Sequence, residues 1–190
     1  MHFARVRLGL RPLPSGEGIR FVDQTEPDLL PGVYVQAIEQ GAREAMESGV
    51  LAGYRIVDVE LRLLSATMNP DTSSDLAFRV ASIEACGRAL EMAEPVLLEP
   101  VMDLEVIVPD TYTGEVMGDL NARGSEIREV ASRSGNIQVV RAYVPLAKMF
   151  GYATALRSLT QGRGNFTMEF DHYAEVDQQR MDAILNGGGW

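Results

Sequence analysis

Lysine is nearly absent from this chain: of its 17 basic residues sixteen are arginine and only Lys148 is lysine. Because Lys148 lies between Ala147 and Met149, no segment has the form GxxxxGK[ST], so a phosphate-binding loop for GTP or ATP is excluded. Cysteine is as scarce. Cys86 stands alone and cannot close an internal disulfide, and with only His2 and His172 beside it the cysteine–histidine zinc patterns are excluded too. No apolar run reaches the roughly 18 residues that a membrane-spanning helix needs. Arg5, Arg7 and Arg11 interrupt any signal-peptide centre in the first twenty residues, so a cytoplasmic protein with no membrane partner is expected. The balance of 17 basic against 27 acidic residues, net −10, disfavours tight nucleic-acid binding spread over the whole surface but leaves local contact open.

What is present reads as a folded α+β protein. At 46% apolar and 23% charged residues, the 190-residue chain can bury one large core or two small ones. Ala4, Val6, Leu8 and Leu10 alternate with Arg5 and Arg7, the period of a half-buried strand. The Pro12–Gly16 turn cluster and a short strand at Ile19–Asp23 suggest a hairpin. Helical spacing over Val33–Ser48 and a second alternation over Arg55–Leu64 follow. Leu76, Val80, Ile83 and Leu90 then read as a core-facing helical stripe, with Thr72 and Asp75 as its capping box. Prolines 95 and 100 punctuate the chain, placing a boundary near Leu98.

Beyond that boundary the order is strand (Met102–Val108), helix (Thr111–Asn121), strands Ile127–Ser132 and Ile137–Pro145 joined by Ser134–Asn136, helix (Tyr152–Thr160), and strand (Phe166–Asp171). This is βαββαβ, the ferredoxin-like plan. The expected organisation is therefore 1–98, 99–176, and a flexible tail at 177–190.

Catalytic chemistry is hard to find. Cys86 reads as a small buried apolar group, His172 as a packed or partly exposed ring, Gly114 and Gly118 as helix packing, and Gly162 with Gly164 as a turn. Glu39, Glu44 and Glu47 with Arg43 read as a solvated helix face. No catalytic residue and no metal ligand is expected, and a small-molecule enzyme is the weaker class beside a binding module or a generic protein-interaction domain.

Longer motifs carry a family resemblance. MFGYATALRSLTQGRG over Met149–Gly164, the following FTMEFDHYAEV, EPVLLEPV from Glu94, GEVMGDLNAR from Gly114 and VPLAKMFGY from Val144 resemble the last domain of elongation factor G. FVDQ from Phe21, AIEQGAREAMESG from Ala37, GYRIVDVELRLL from Gly53 and DTSSDLAFRVAS from Asp71 resemble the domain before it. The resemblance implies domains IV and V of a translational GTPase, the first S5-like with a βαβ crossover and the second ferredoxin-like, with GTP and magnesium held in a domain outside this sequence. It implies a monomer whose partners are the ribosome's RNA and proteins and the tRNA–mRNA in the A site.

Two tip loops would make those contacts: Asn69, Pro70, Asp71, Thr72, Ser73 and Ser74, and Gln24, Thr25, Glu26 and Asp28. Both depart from the family's usual pattern. Asn69 and Pro70 stand where a histidine-bearing HxxDSS form is common, and Glu26 and Asp28 are acidic where a glycine-rich, lysine-bearing loop is usual. A translocase and a paralogue acting in ribosome recycling or rescue are both compatible with this pattern.

Overall fold

A computed structural model describes residues 2–187. The chain divides into two compact units, Met1–Val96 and Leu97–Trp190, each with its own sheet and core.

The first unit contains β1 (Arg5–Pro12), β2 (Ile19–Asp23), α1 (Gly32–Ser48), β3 (Val59–Thr67) and α2 (Asp75–Met92). β1 and β2 do not form the hairpin that their closeness in sequence suggests. The sheet order is β1-β3-β2, with β3 antiparallel to β1 and parallel to β2. The physical reason is the connection: residues 13–18 are too many for a two-residue turn and step across one strand's width. They are tied to β3 on the way, because Leu13 N donates to Asp58 O (2.8 Å), Val59 N to Gly18 O (3.0 Å) and Gly18 N to the Asp58 carboxylate (2.7 Å). Asp58 adopts φ 57°, a conformation foreign to a strand, so β3 begins at Val59 rather than at Arg55. The crossover β2–α1–β3 is the βαβ element of this unit.

The helices cover one face of this sheet. Their cores join Ile38, Ala42 and Met46 of α1 and Phe78, Cys86 and Leu90 of α2 to Leu61 and Leu63 of β3. The inward face of α2 is thus Phe78, Ser82, Cys86 and Leu90, whereas Leu76 and Val80 of the expected stripe are 61% and 48% exposed. Packing explains the rotation: small residues let α2 approach α1 closely, and Ser82 Oγ is satisfied by Ile38 O at 2.6 Å. At the crossing, Gly41 faces Arg79 so tightly that a Cβ would lie 2.3 Å from the Arg79 carbonyl oxygen. The cap of α2 is Ser74, whose hydroxyl accepts from Ala77 N, and not the Thr72–Asp75 pair; the Asp75 carboxylate instead accepts from Leu76 N.

The second unit contains β4 (Leu98–Pro109), α3 (Thr113–Ala122), β5 (Glu126–Arg133), β6 (Ile137–Pro145), α4 (Tyr152–Leu159), β7 (Asn165–Glu175) and α5 (Gln178–Leu185). Its antiparallel sheet has the order β5-β6-β4-β7, which makes it ferredoxin-like. Val106, Val108, Leu120, Val140, Val144, Tyr152 and Leu156 fill the space between the helices and one sheet face. The flexible tail expected from residue 177 onward is instead structured as α5. Asp177 caps it by accepting from Arg180 N, Ile184 is buried, and Arg180 reaches the buried Glu99 at 2.6 Å. Residues 188–190 of that expected tail lie outside the described residues.

Candidate functional site

Parallel strands end on the same side of a sheet, so the loops that follow β2 and β3 emerge from one edge of the first unit. The start of antiparallel β1 joins them there, with Arg5 opposite Thr67. That edge carries every residue of the two expected tip loops.

Loop 68–74 is held by its own polar groups. Asn69 Oδ1 accepts from Asp71 N (2.9 Å), and Asn69 O accepts from Thr72 N (3.2 Å) and Ser73 N (2.9 Å). Ser73 Oγ accepts from Asn69 N and donates to Phe3 O at 2.6 Å, while Phe3 N donates to Thr72 O. An asparagine followed by proline suits such a turn, since its short amide can close a ring onto the backbone two residues on. Asn69, Pro70 and Asp71 are left exposed, whereas Thr72, Ser73 and Ser74 are half-buried.

Loop 24–31 has the same logic. Asp23 Oδ1 accepts from both the backbone N and the hydroxyl of Thr25, at 2.9 and 2.7 Å. Gln24 N donates to Leu63 O, and Leu29 N to Glu26 O, around an Asp28 at φ 62°. Leu30 anchors the loop in the core, leaving Gln24, Glu26 and Asp28 exposed and Thr25 half-buried. The hydroxyls of Thr25, Ser73 and Ser74 are therefore engaged within the fold, and what the edge offers outward is carboxylates, the Gln24 and Asn69 side chains, Pro27 and Pro70, and the exposed apolar side chains of Leu29 and Met68.

The solvent-facing side of the same sheet is a feature that no single segment of the sequence displays. The register aligns Arg11, Glu60 and Arg20 in one row across three strands and Arg62 with Val22 in the next. Arg7 and Arg5 continue along β1 opposite Ser65 and Thr67. Glu60 is buried and accepts from Arg62 Nε at 2.7 Å, with Arg20 3.6 Å from its other oxygen. The Arg62 hydrogen bond holds the Glu60 carboxyl below its usual range, outweighing the desolvation that opposes it. Among the described residues, Arg5, Arg7 and Arg11 make no ion pair within 4.0 Å. Alternation along β1 holds part of the signal, but only the sheet order reveals that Arg20 and Arg62 share the face.

In the second unit, an open hollow of about 570 Å³ is lined by Asp103, Glu105, Glu129, Glu169, Arg128, Arg141 and Thr167. Arg141 bonds both Glu105 (3.0 Å) and Glu129 (3.2 Å), which raises its own pKa and ties the two carboxylates to one guanidinium. Arg128 lies over the ring of Tyr143 and donates to its hydroxyl, and His172 packs edge-on against that ring while contacting Asp171 at 2.6 Å. No group of three or more histidine, cysteine or acidic side chains suited to a metal ion occurs among the described residues. Cys86 is buried in the first unit, its thiol pushed up to about 11 by desolvation.

Comparison with known proteins agrees across both units. Residues 1–94 match the family described as elongation factor G, domain IV, and residues 96–184 match the elongation factor G C-terminus. The chain is 49% identical over 176 residues to elongation factor G of Aquifex pyrophilus, covering 93% of this chain and 25% of that protein. A crystal structure of a protein from Thermus thermophilus superposes with a TM-score of 0.86 at 37% identity, over 96% of this chain and 27% of that one. The chain thus spans about a quarter of the length of these relatives.

Proposed function

The chain belongs to the elongation factor G family, matching its domain IV and its C-terminus, and from that premise we propose that it is a ribosome-binding mechanical module. Its loops 24–31 and 68–74 enter the A site and promote movement of the tRNA–mRNA pair, in contact with ribosomal RNA and proteins. It acts as a monomer in the cytoplasm, binds no guanine nucleotide within these residues, and works with a GTP- and magnesium-binding domain elsewhere in the longer factor. The observation that carries this reading is the shared edge. Two loops brought together by parallel strands, each stiffened by side-chain-to-backbone bonds, present exposed residues on a braced support. Such a support transmits force without rearranging, because the loop's hydrogen bonds are already made before contact.

A second reading is a paralogue acting in ribosome recycling or rescue. It is favoured by the exposed acidic residues Glu26, Asp28 and Asp71, which would repel phosphates in the decoding centre. Replacing Pro70 and Asp71 together by alanine in the full-length factor leaves the Asp71 N to Asn69 bond and the Ser73 bonds in place. The expected result is slower single-turnover translocation, or slower subunit splitting under the second reading, with ribosome-stimulated GTP hydrolysis nearly intact. Equal losses of hydrolysis and movement, or no loss of either, would remove the loops from the mechanism.

A further inference from the structure

The exposed face of the β1-β3-β2 sheet carries five arginines in a chain whose net charge is −10. Against Arg5, Arg7, Arg11, Arg20 and Arg62 stand the Glu60 carboxylate and Glu17, which holds Arg20 at 3.0 Å. A surplus of three positive charges is thus gathered on one flat surface while the rest of the chain is strongly acidic. Glu60 offsets only one of the five charges. It is buried beneath the guanidiniums, binding Arg62 and drawing in Arg20, and so fixes two of them in place.

We infer that this face binds the phosphate backbone of an RNA helix. Three features select that occupant. Charge complementarity requires a polyanion, and arginine forks match phosphate oxygens in two-bond geometry. The spacing is that of a pleated sheet, with rows about 6.7 Å apart and strands about 4.8 Å apart, so the cations form an array and not a single pocket. Between them lie Gly9, Val22, Leu64, Ser65 and Thr67, none of them aromatic, and the exposed Phe3 precedes the array at its Arg5 end, so the arginine rows themselves favour backbone contact over single-strand reading.

The inference rests on the ribosome reading only for the source of the RNA. It also explains how a carboxylate-bearing edge can approach RNA, since Arg5 lies opposite Thr67 beside loop 68–74 and offers an attractive surface adjoining the repulsive one.

The test uses the 190-residue chain and a fluorescein-labelled, mixed-sequence RNA duplex, with anisotropy followed from about 50 to 200 mM salt. Three phosphate contacts contribute about 2.7 to the slope of log affinity against log salt. Wild type should therefore lose about 40-fold more affinity over that fourfold range than the variant Arg5→Gln, Arg7→Gln, Arg11→Gln. The comparison variant Arg43→Gln, Arg55→Gln, Arg88→Gln reaches the same net charge by removing arginines outside this face, and should keep the wild-type slope. Circular dichroism checks that all three proteins are folded. An unchanged slope in the first variant, an equal fall in both, or no duplex binding by wild type at the lowest salt would overturn the inference. None of these outcomes touches the loop reading, which stands or falls on translocation by the Pro70, Asp71 variant.

Discussion

The crossing of α1 and α2 permits a prediction in which one substitution has opposite signs at two positions. In Gly41→Ala the new methyl would lie 2.3 Å from the carbonyl oxygen of Arg79, about 1 Å inside ordinary contact. Neither partner can swing away, because one is a helix backbone and the other is bonded to a helix backbone. The helices must therefore part, and overpacking of this kind costs about 1–3 kcal/mol. Parting by about 1 Å also stretches the 2.6 Å bond from Ser82 Oγ to Ile38 O beyond hydrogen-bond range, leaving a buried hydroxyl unpaired at a further cost of about 1–3 kcal/mol. Alanine's better helix propensity returns about 1 kcal/mol. The net is a destabilisation of about 3 kcal/mol. At Gly87, within α2, an added Cβ meets nothing within 4 Å, so Gly87→Ala keeps the propensity gain and should stabilise by up to about 1 kcal/mol. Native-state hydrogen exchange of amides in α1 and α2 reads both variants without requiring the whole chain to unfold in one step. If Gly41→Ala exchanges as slowly as wild type, the closeness of the crossing is not what stabilises this helix pair.

Two further outcomes follow from the buried groups. Glu60 has a lowered pKa in the folded state, so its contribution is present above the ordinary carboxylate pKa and is lost as pH falls through the depressed value; Glu60→Gln should narrow the difference in urea midpoint between about pH 7 and pH 3, and an unchanged difference would exclude Glu60 as a source of acid sensitivity. Cys86 is buried with its thiol raised to about 11, so the native chain at about pH 8 should resist a thiol-specific reagent that labels it rapidly in urea, and stability should decline as pH rises from about 9 toward 11, because only the unfolded thiol ionises there.

Local periodicity carries much of the fold. The alternation of β1 and the apolar spacing of α1 are properties of single segments, and the structure keeps both. What periodicity does not decide is which partner each segment takes. β1 and β2 resemble a hairpin because neighbours in sequence usually pair, yet Leu61 and Leu63 make the third strand the one best buried at the centre. On α2, Leu76 and Val80 form the more hydrophobic stripe, but Phe78, Ser82 and Cys86 fit the groove of α1, and fit decides the orientation. α5 is hard to see in the sequence because the segment is short, runs into a glycine-rich end, and has a single buried anchor, Ile184, that makes no periodic pattern. At the candidate site, motif alone places the loops, while part of the bracing comes from afar: loop 68–74 bonds to Phe3, some seventy residues from Ser73 in sequence, and loop 24–31 to Leu63.

The central position of β3 also governs the order of assembly. A chain emerging from its own ribosome as far as Asp58 holds two strands that do not pair with each other and a helix whose apolar face lacks most of its partners. Only when residues 59–67 arrive can either strand form its ladder, and both then form against the same segment. Folding of this unit is thereby delayed until more than half of it has been synthesised, and it then requires closure over dozens of residues at once, the non-local step that slows folding. The nascent first half is left with two unpaired strand edges during that interval, which makes it a client for whatever shields emerging chains from aggregation.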